Sequence, residues 1–295
     1  MIQAELKTLT LGDETMHQIK RSLLLIGLTA VLAAPFVSTS TNPTSAVTAA
    51  AKTTKSVNRQ TLAKAIKRTP DLNPTSSVRH FSFRTYYSYF TLFNKNYNVQ
   101  RMSKPTVFKH HQATVYVPSA ELRETGYVTA AIKNWNVALG TKVFRIGTAT
   151  NHTITVNMKD GPTSPDGSWD GYYQTNKVYV NANFYNNANY LPTVYTDLTG
   201  DKMAGASSPN SAAYQHQYKR YWTAVITHKL GHSLGLDHTP YSNDIMASEF
   251  ESAGSDFKYT WTDYKVVDNS FAILTGKLST RDINRAKLTK SIGYW

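Results

Sequence analysis

Between Gln215 and Leu234 the apolar residues Trp222, Val225, Ile226, Leu230 and Leu234 recur at helical spacing, and His228 and His232 stand within that stretch. On a helix of 3.6 residues per turn these two imidazoles lie one turn apart on the same face, so both can reach a single ion. Gly235 follows three positions later and suits a helix-ending residue with positive φ, which reverses the chain and returns His238 toward the same ion. Three neutral imidazoles leave a tetrahedral zinc one open position for water or substrate, the pattern of catalytic rather than structural zinc. A His pair at i and i+4 is weak alone, because a chain with nine His throws up surface pairs. The glycine and the third His at these offsets make chance a poor explanation.

The chain has no cysteine, so thiolate metal sites, thiol catalysis and disulfides are excluded, and any metal must rest on His, Asp or Glu. Hydrophobic residues form 41% of the 295 and aromatics 12%, which supplies one genuine core and argues against wholesale disorder.

The N-terminus reads as an export leader. Lys20 and Arg21 precede the uncharged apolar run Leu23 to Ala34, and small residues end in Ala49, Ala50 and Ala51. That run is 12 residues, short of the roughly 20 a membrane-spanning helix needs, so residues 1–51 are expected to be removed and no span to remain. Met16 is an alternative true start. The expected location is secreted, extracellular or at the cell surface. Net charge is +13, and removing the leader leaves it there, because Lys7, Lys20 and Arg21 balance Glu5, Asp13 and Glu14. In an exported protein such a charge favours an anionic cell wall or other polyanion as partner over nucleic acid, for which there is no motif; an evenly spread basic surface with no partner is the competing reading.

Residues 52–104 read as a linker or pro-segment: Thr, Ser, Ala, Pro and Lys dominate to about Ser77, with a short helix near Gln60 to Arg68. His80 to Val99 is aromatic and alternating and suggests strands or a clamp. The compact domain is expected over 105–295. Ala113–Val117, Lys142–Ile146, Thr153–Met158 and Lys177–Asn181 are strand candidates, and Ser119 to Leu139 is a helix with Val128, Ala131, Ile132, Trp135 and Ala138 on one face. Strand, helix, strand, strand implies an α+β mixed twisted sheet with covering helices. Asp160-Gly161, Asp166-Gly167 and Asp170-Gly171 offer carboxylates for a calcium ion, though turn chemistry explains Asp-Gly pairs as well.

The run His228-Lys229-Leu230-Gly231-His232-Ser233-Leu234-Gly235-Leu236-Asp237-His238 resembles the metzincin zinc-protease motif of matrixin type (peptidase family M10, in a bacterial secreted form), and Asp244-Ile245-Met246 resembles its Met turn. The resemblance implies a zincin-like domain: two long helices, an active-site helix followed by the Met turn, and a small C-terminal subdomain. It implies that His228, His232 and His238 hold zinc, that Met246 packs beneath it without ligating, and that the substrate is a protein or peptide bound as an added strand, here assigned to the Lys177–Asn181 edge. Ser279 to Ile292 resembles the closing helix. The absence of cysteine excludes the cysteine latch of some matrix metalloproteases, and the His and Asp set of a second, structural zinc is not found; His152 and Asp170 do not make one. His80, His110, His111 and His216 receive no role.

The chain departs from the family at one position that matters. The residue after the first His is Glu in the family and Lys229 here. The Glu is implied to take a proton from the attacking water and pass it to the leaving amine. A protonated Lys has three donors and no acceptor, and its charge opposes a dication. Three readings stay open: an inactive homologue that binds peptides or cell-wall polymers, an enzyme that recruits another carboxylate such as Glu249 or Glu251, or a sequence variant.

Overall fold

A computed structural model describes residues 57–164, 168–247 and 271–295; residues 1–51, where a leader is expected, fall outside them. Residues 54–295 form one compact unit. In chain order its elements are α1 (Arg59–Lys67), α2 (Phe83–Ser88), α3 (Phe90–Tyr97), β1 (Ala113–Tyr116), α4 (Ala120–Thr125), α5 (Tyr127–Leu139), β2 (Phe144–Ile146), β3 (Ile154–Lys159), β4 (Gly171–Gln174) and β5 (Lys177–Asn181). They continue with α6 (Ala182–Tyr185), α7 (Tyr190–Thr199), α8 (Ala212–Ser233), α9 (Ala272–Thr275) and α10 (Thr280–Ile292).

The sheet has five strands in the order β2-β1-β3-β5-β4; β1, β2, β3 and β5 run parallel and β4 antiparallel to β5. The α+β architecture read from the sequence is the one observed. Ile154 and Val156 of β3, with Val178 and Val180 of β5, are fully buried, while their neighbours Thr155 and Tyr179 are half-buried. That alternation is the period-2 signature of strands with one face packed under helices. Each such buried Val or Ile contributes roughly 1.5–3 kcal/mol relative to exposure. One assignment is corrected: Lys177–Asn181 is not an edge. Its two sides pair with β3 and β4, so β4, with no counterpart among the expected strands, is the edge on that side.

The single helix expected over Ser119 to Leu139 is two. Ser119 caps α4 by accepting from Leu122 N at 3.3 Å, and Gly126, at φ +71°, ends α4 and starts α5. A left-handed glycine breaks the helix despite unbroken apolar periodicity. The aromatic stretch after His80 also differs from expectation, forming α2 and α3 instead of strands. Ser82 accepts from Thr85 N to cap α2, and Tyr86, Phe93 and Tyr97 turn inward. Three- and four-residue spacing therefore outweighs the local alternation. Residues 57–99 are no bare connector, since Leu62, Ile66, Val78, Tyr86, Phe93 and Tyr97 join the common core. No helix among the described residues is long and apolar enough to cross a membrane.

Candidate metal centre

The helix α8 carries the first two His. From Tyr221 to Ser233 every residue is buried except Lys229, which is half-exposed. A helix enclosed this fully is fixed by packing on all sides, chiefly against α5. Trp135 of α5 is wholly buried and its Nε1 donates to Thr227 O at 2.8 Å, one residue before His228. Gly231 admits this closeness, because a Cβ there would meet Trp135 Cζ2 at 3.1 Å and collide with Met246 Sδ. The helix stops at Leu234. Gly235, at φ +85°, bends the chain, with Gly235 N donating to His232 O and Leu236 N to Gly231 O. This pattern is a left-handed C-terminal cap, and Gln100 O lies 2.8 Å from where a Cβ on Gly235 would stand.

The turn brings His238 back to the helix. The ligand atoms of His228, His232 and His238 lie within 4.8 Å of one another, and their ring centroids are 4.8, 5.2 and 5.0 Å apart. His228 Nδ1 donates to Ile245 O at 2.7 Å, and His232 Nδ1 donates to Leu236 O at 2.8 Å. A carbonyl only accepts, so the Nδ1 atoms carry the hydrogens and the two Nε2 lone pairs face each other across 3.1 Å. Burial holds His228 and His232 well below the usual histidine pKa, reinforced by the Lys229 charge. His238, partly reached by solvent, is brought down to about 3 by burial, Lys229 and Arg285. Neutral imidazoles with converging lone pairs and no hydrogen between them repel one another unless a cation sits at their focus. The donor set, three imidazole nitrogens of which the two on α8 have backbone-fixed tautomers, fits zinc.

The turn holding Met246 packs against α8 at Gly231, the residue before His232. Met246 is fully buried against Gly231, and Thr239 N donates to Met246 O at 2.9 Å. Two residues of α10 that the sequence reading passed over secure the site from behind. The Asp282 carboxylate accepts from Ile245 N at 2.8 Å and Met246 N at 3.4 Å. Arg285, wholly buried, donates to Tyr97 O at 2.8 Å, to Asn98 O, and to Asp237 O at 2.6 Å. Ser279 and Asp282 form a capping box, a spacing visible in the sequence. Its second use, on the Met turn, has no sequence signal.

Lys229 lies on the same helix turn as the His pair, and its stem runs along β4: a Cβ on Gly171 would stand 2.9 Å from its Cγ and 3.1 Å from its Cε.

With this geometry established, comparison with known families is decisive: the matrixin family model matches residues 47–272. The chain belongs to the matrixin family. Family and His cluster together support a zinc metalloendopeptidase acting on peptide or protein substrates. No curated protein matches this matrixin sequence. The match reaches upstream of residue 105, into the stretch that holds α1 to α3.

Calcium gains no support in this matrixin. The Asp170 carboxylate accepts from Tyr221 OH at 2.5 Å and from Tyr190 OH, so its oxygens serve the core. Asp166-Gly167 lies outside the described residues, as do Glu249 and Glu251. Among the described residues the three His are the one group of three or more His, Asp or Glu arranged to hold a metal.

Proposed function

We propose that the protein is an exported matrixin-type zinc endopeptidase, with residues 1–51 as leader, whose catalysis is strongly impaired by Lys229. The single observation that carries this reading is an otherwise complete zinc constellation with an ammonium at the position of the general base. His228, His232 and His238 would hold the metal, which when bound polarises the peptide carbonyl and activates water. An extended substrate would lie along β4, the edge strand beside α8, where main-chain hydrogen bonds supply affinity. Proton transfer from water to the leaving amine needs an acceptor, and Lys229 supplies only donors while charged. Losing a general base lowers the rate by roughly 10²- to 10⁴-fold and leaves the ligands and the cleft in place.

A second reading shares this site: a non-catalytic protein that holds peptides or anionic wall polymers in the cleft. Lys229 and the net charge of +13 favour it.

Quenched-peptide hydrolysis by the zinc-loaded full chain, beside its Lys229→Glu variant, separates the readings. A rate at least about 10²-fold higher in the variant, abolished by chelator, is expected for the impaired enzyme. Equal rates in both would overturn the assignment of Lys229 as the lesion. No hydrolysis by either protein, with peptide binding intact, would favour the binding protein.

A further inference from the structure

At the opposite edge of the sheet from β4 lies a cavity of about 600 Å³. Four cations from three stretches of chain line it: Lys109 from the loop before β1, Lys142 and Arg145 at and just before β2, and Lys290 on α10. No Asp or Glu is among the lining residues. Gathering four like charges around one concavity is unfavourable without counter-charge, and the field inside it concentrates anions. The walls are ordered by the fold itself. Gln112 Nε2 donates to Lys142 O at 2.7 Å, and Arg145 Nε reaches Thr114 Oγ1 at 3.4 Å.

The rim is built in an unusual way. Lys109 N donates to Gln112 O at 2.9 Å and Gln112 N to Lys109 O at 3.0 Å, closing a two-residue turn whose central residues are His110 and His111. Both are left-handed, at φ +50° and +62°. Such turns favour Asn-Gly or Asp-Gly, so a His-His pair there departs from what turn geometry alone selects. His111 Nδ1 donates to the Trp295 main-chain oxygen at 2.8 Å, which ties the turn to the residue after α10 and its closing glycine and tyrosine, and both His110 and His111 line the cavity. Rare backbone conformations kept by polar side chains at a cleft point toward function.

We propose that this cavity binds a polyanion with closely spaced phosphate or sulfate groups. At about 600 Å³ the space exceeds what a single oxyanion fills, and its spread of four cations suits an anion that carries several charged groups. Lysine ammoniums act as point charges, and the Arg145 fork adds paired donors that match a tetrahedral oxyanion. The site lies on β1, β2 and α10 and does not involve the His cluster, so it stands whether or not the protein cleaves peptides.

The test is calorimetric titration of the zinc-loaded full chain with inorganic tripolyphosphate, orthophosphate and a multiply sulfated disaccharide. Tripolyphosphate or the sulfated sugar should bind well above orthophosphate, with affinity falling as salt rises; the tighter of the two identifies which oxyanion the site takes. Lys142→Gln/Arg145→Gln should weaken that binding at least about tenfold. Lys64→Gln/Lys67→Gln, which removes the same charge from the exposed face of α1, should leave it within about twofold. Lys290→Gln, on a different element, should also weaken it, which guards against local misfolding of β2. Equal losses in the α1 pair would show a diffuse charge effect and overturn the site. Binding that survives both cavity variants, as chelation at the zinc centre would, overturns it too, as does the absence of any preference over orthophosphate.

Discussion

Replacing Arg285 with Met tests whether α10 holds both the fold and the third His. The guanidinium is wholly buried and donates to carbonyls on two segments, Tyr97 and Asn98 on one side and Asp237 on the other. Met keeps much of the length and removes every donor. Asn98 O retains Asp237 N at 3.0 Å, whereas Tyr97 O and Asp237 O lose the guanidinium, at about 1–3 kcal/mol for each buried group left without a partner. Asp282, Asp244 and Asp237 also lose the cation that faces them. Breaking a buried charged network by deleting one member costs about 3–5 kcal/mol, a large share of a typical 5–15. At about 2 kcal/mol per molar in urea the unfolding midpoint should drop by about 2 M. Because Asp237 O precedes His238, zinc affinity measured against a chelator should fall by about 10- to 100-fold, as for other residues that orient metal ligands. Arg101→Met, an exposed cation whose guanidinium bonds Gly293 O at 2.6 Å, serves as control and should cost under about 1 kcal/mol. A loss under about 1 kcal/mol for Arg285→Met would refute the network as a stabilising element. A full loss with unchanged zinc affinity would refute its role in placing His238.

The metal-free protein should lose stability on acidification, read from urea midpoints between pH 7 and 5. His228, His232 and His238 have folded pKa values below 6.5, so beneath that pH the unfolded chain takes up protons that the folded one refuses, and stability declines toward about pH 3. Asp282, pushed up to about 7, and Asp237, also raised, act in the opposite sense, but three imidazoles exceed two carboxyls. His232→Gln should flatten the slope, and an unchanged slope would count against the neutral-imidazole assignment. Gly231→Ala, despite a helix-propensity gain of about 1 kcal/mol, should destabilise by about 1–3 kcal/mol net and weaken zinc binding by displacing Met246, while Gly126→Ala at an open site should cost about 1 kcal/mol with zinc binding unchanged. Thermal melts and chelator competition check both.

The parts legible in the sequence are those where one local rule dominates. The His pair is fixed by helix period, Gly235 by the need for positive φ, and β5 by a short apolar alternation, and the structure has β5 over the expected residues. Where two rules competed, the weaker signal prevailed. Gly126 interrupts an otherwise continuous helical pattern, and Ser82 with the Tyr86 and Phe93 spacing turns an apparently alternating stretch into helices. The strand β4 begins with Gly171 and reads as turn, since a glycine after Asp is first a turn signal; its pairing with β5 supplies the strand. Arg285 and Asp282 escaped notice because nothing local distinguishes them from the exposed charges of a surface helix. Beyond the Ser279 capping box, the partners that tie them to the site lie 36 to 188 residues away in sequence.

The bonds that shape the metal centre do not depend on position 229. Lys and Glu have nearly equal helix propensity, so α8 forms with either. The Lys229 stem rests against Gly171, where the missing Cβ leaves room for a long aliphatic chain. The tautomers of His228 and His232 are set by Ile245 O and Leu236 O, and His238 is set by the Asn98, Asp237 and Arg285 network. None of these bonds involves residue 229. A Glu-to-Lys difference thus changes charge and removes an acceptor without disturbing the bonds that shape the metal centre. The Lys229→Glu comparison accordingly measures the general base with the ligand framework held constant, and the Lys229 charge opposing the zinc should make affinity rise in the same variant in which activity rises.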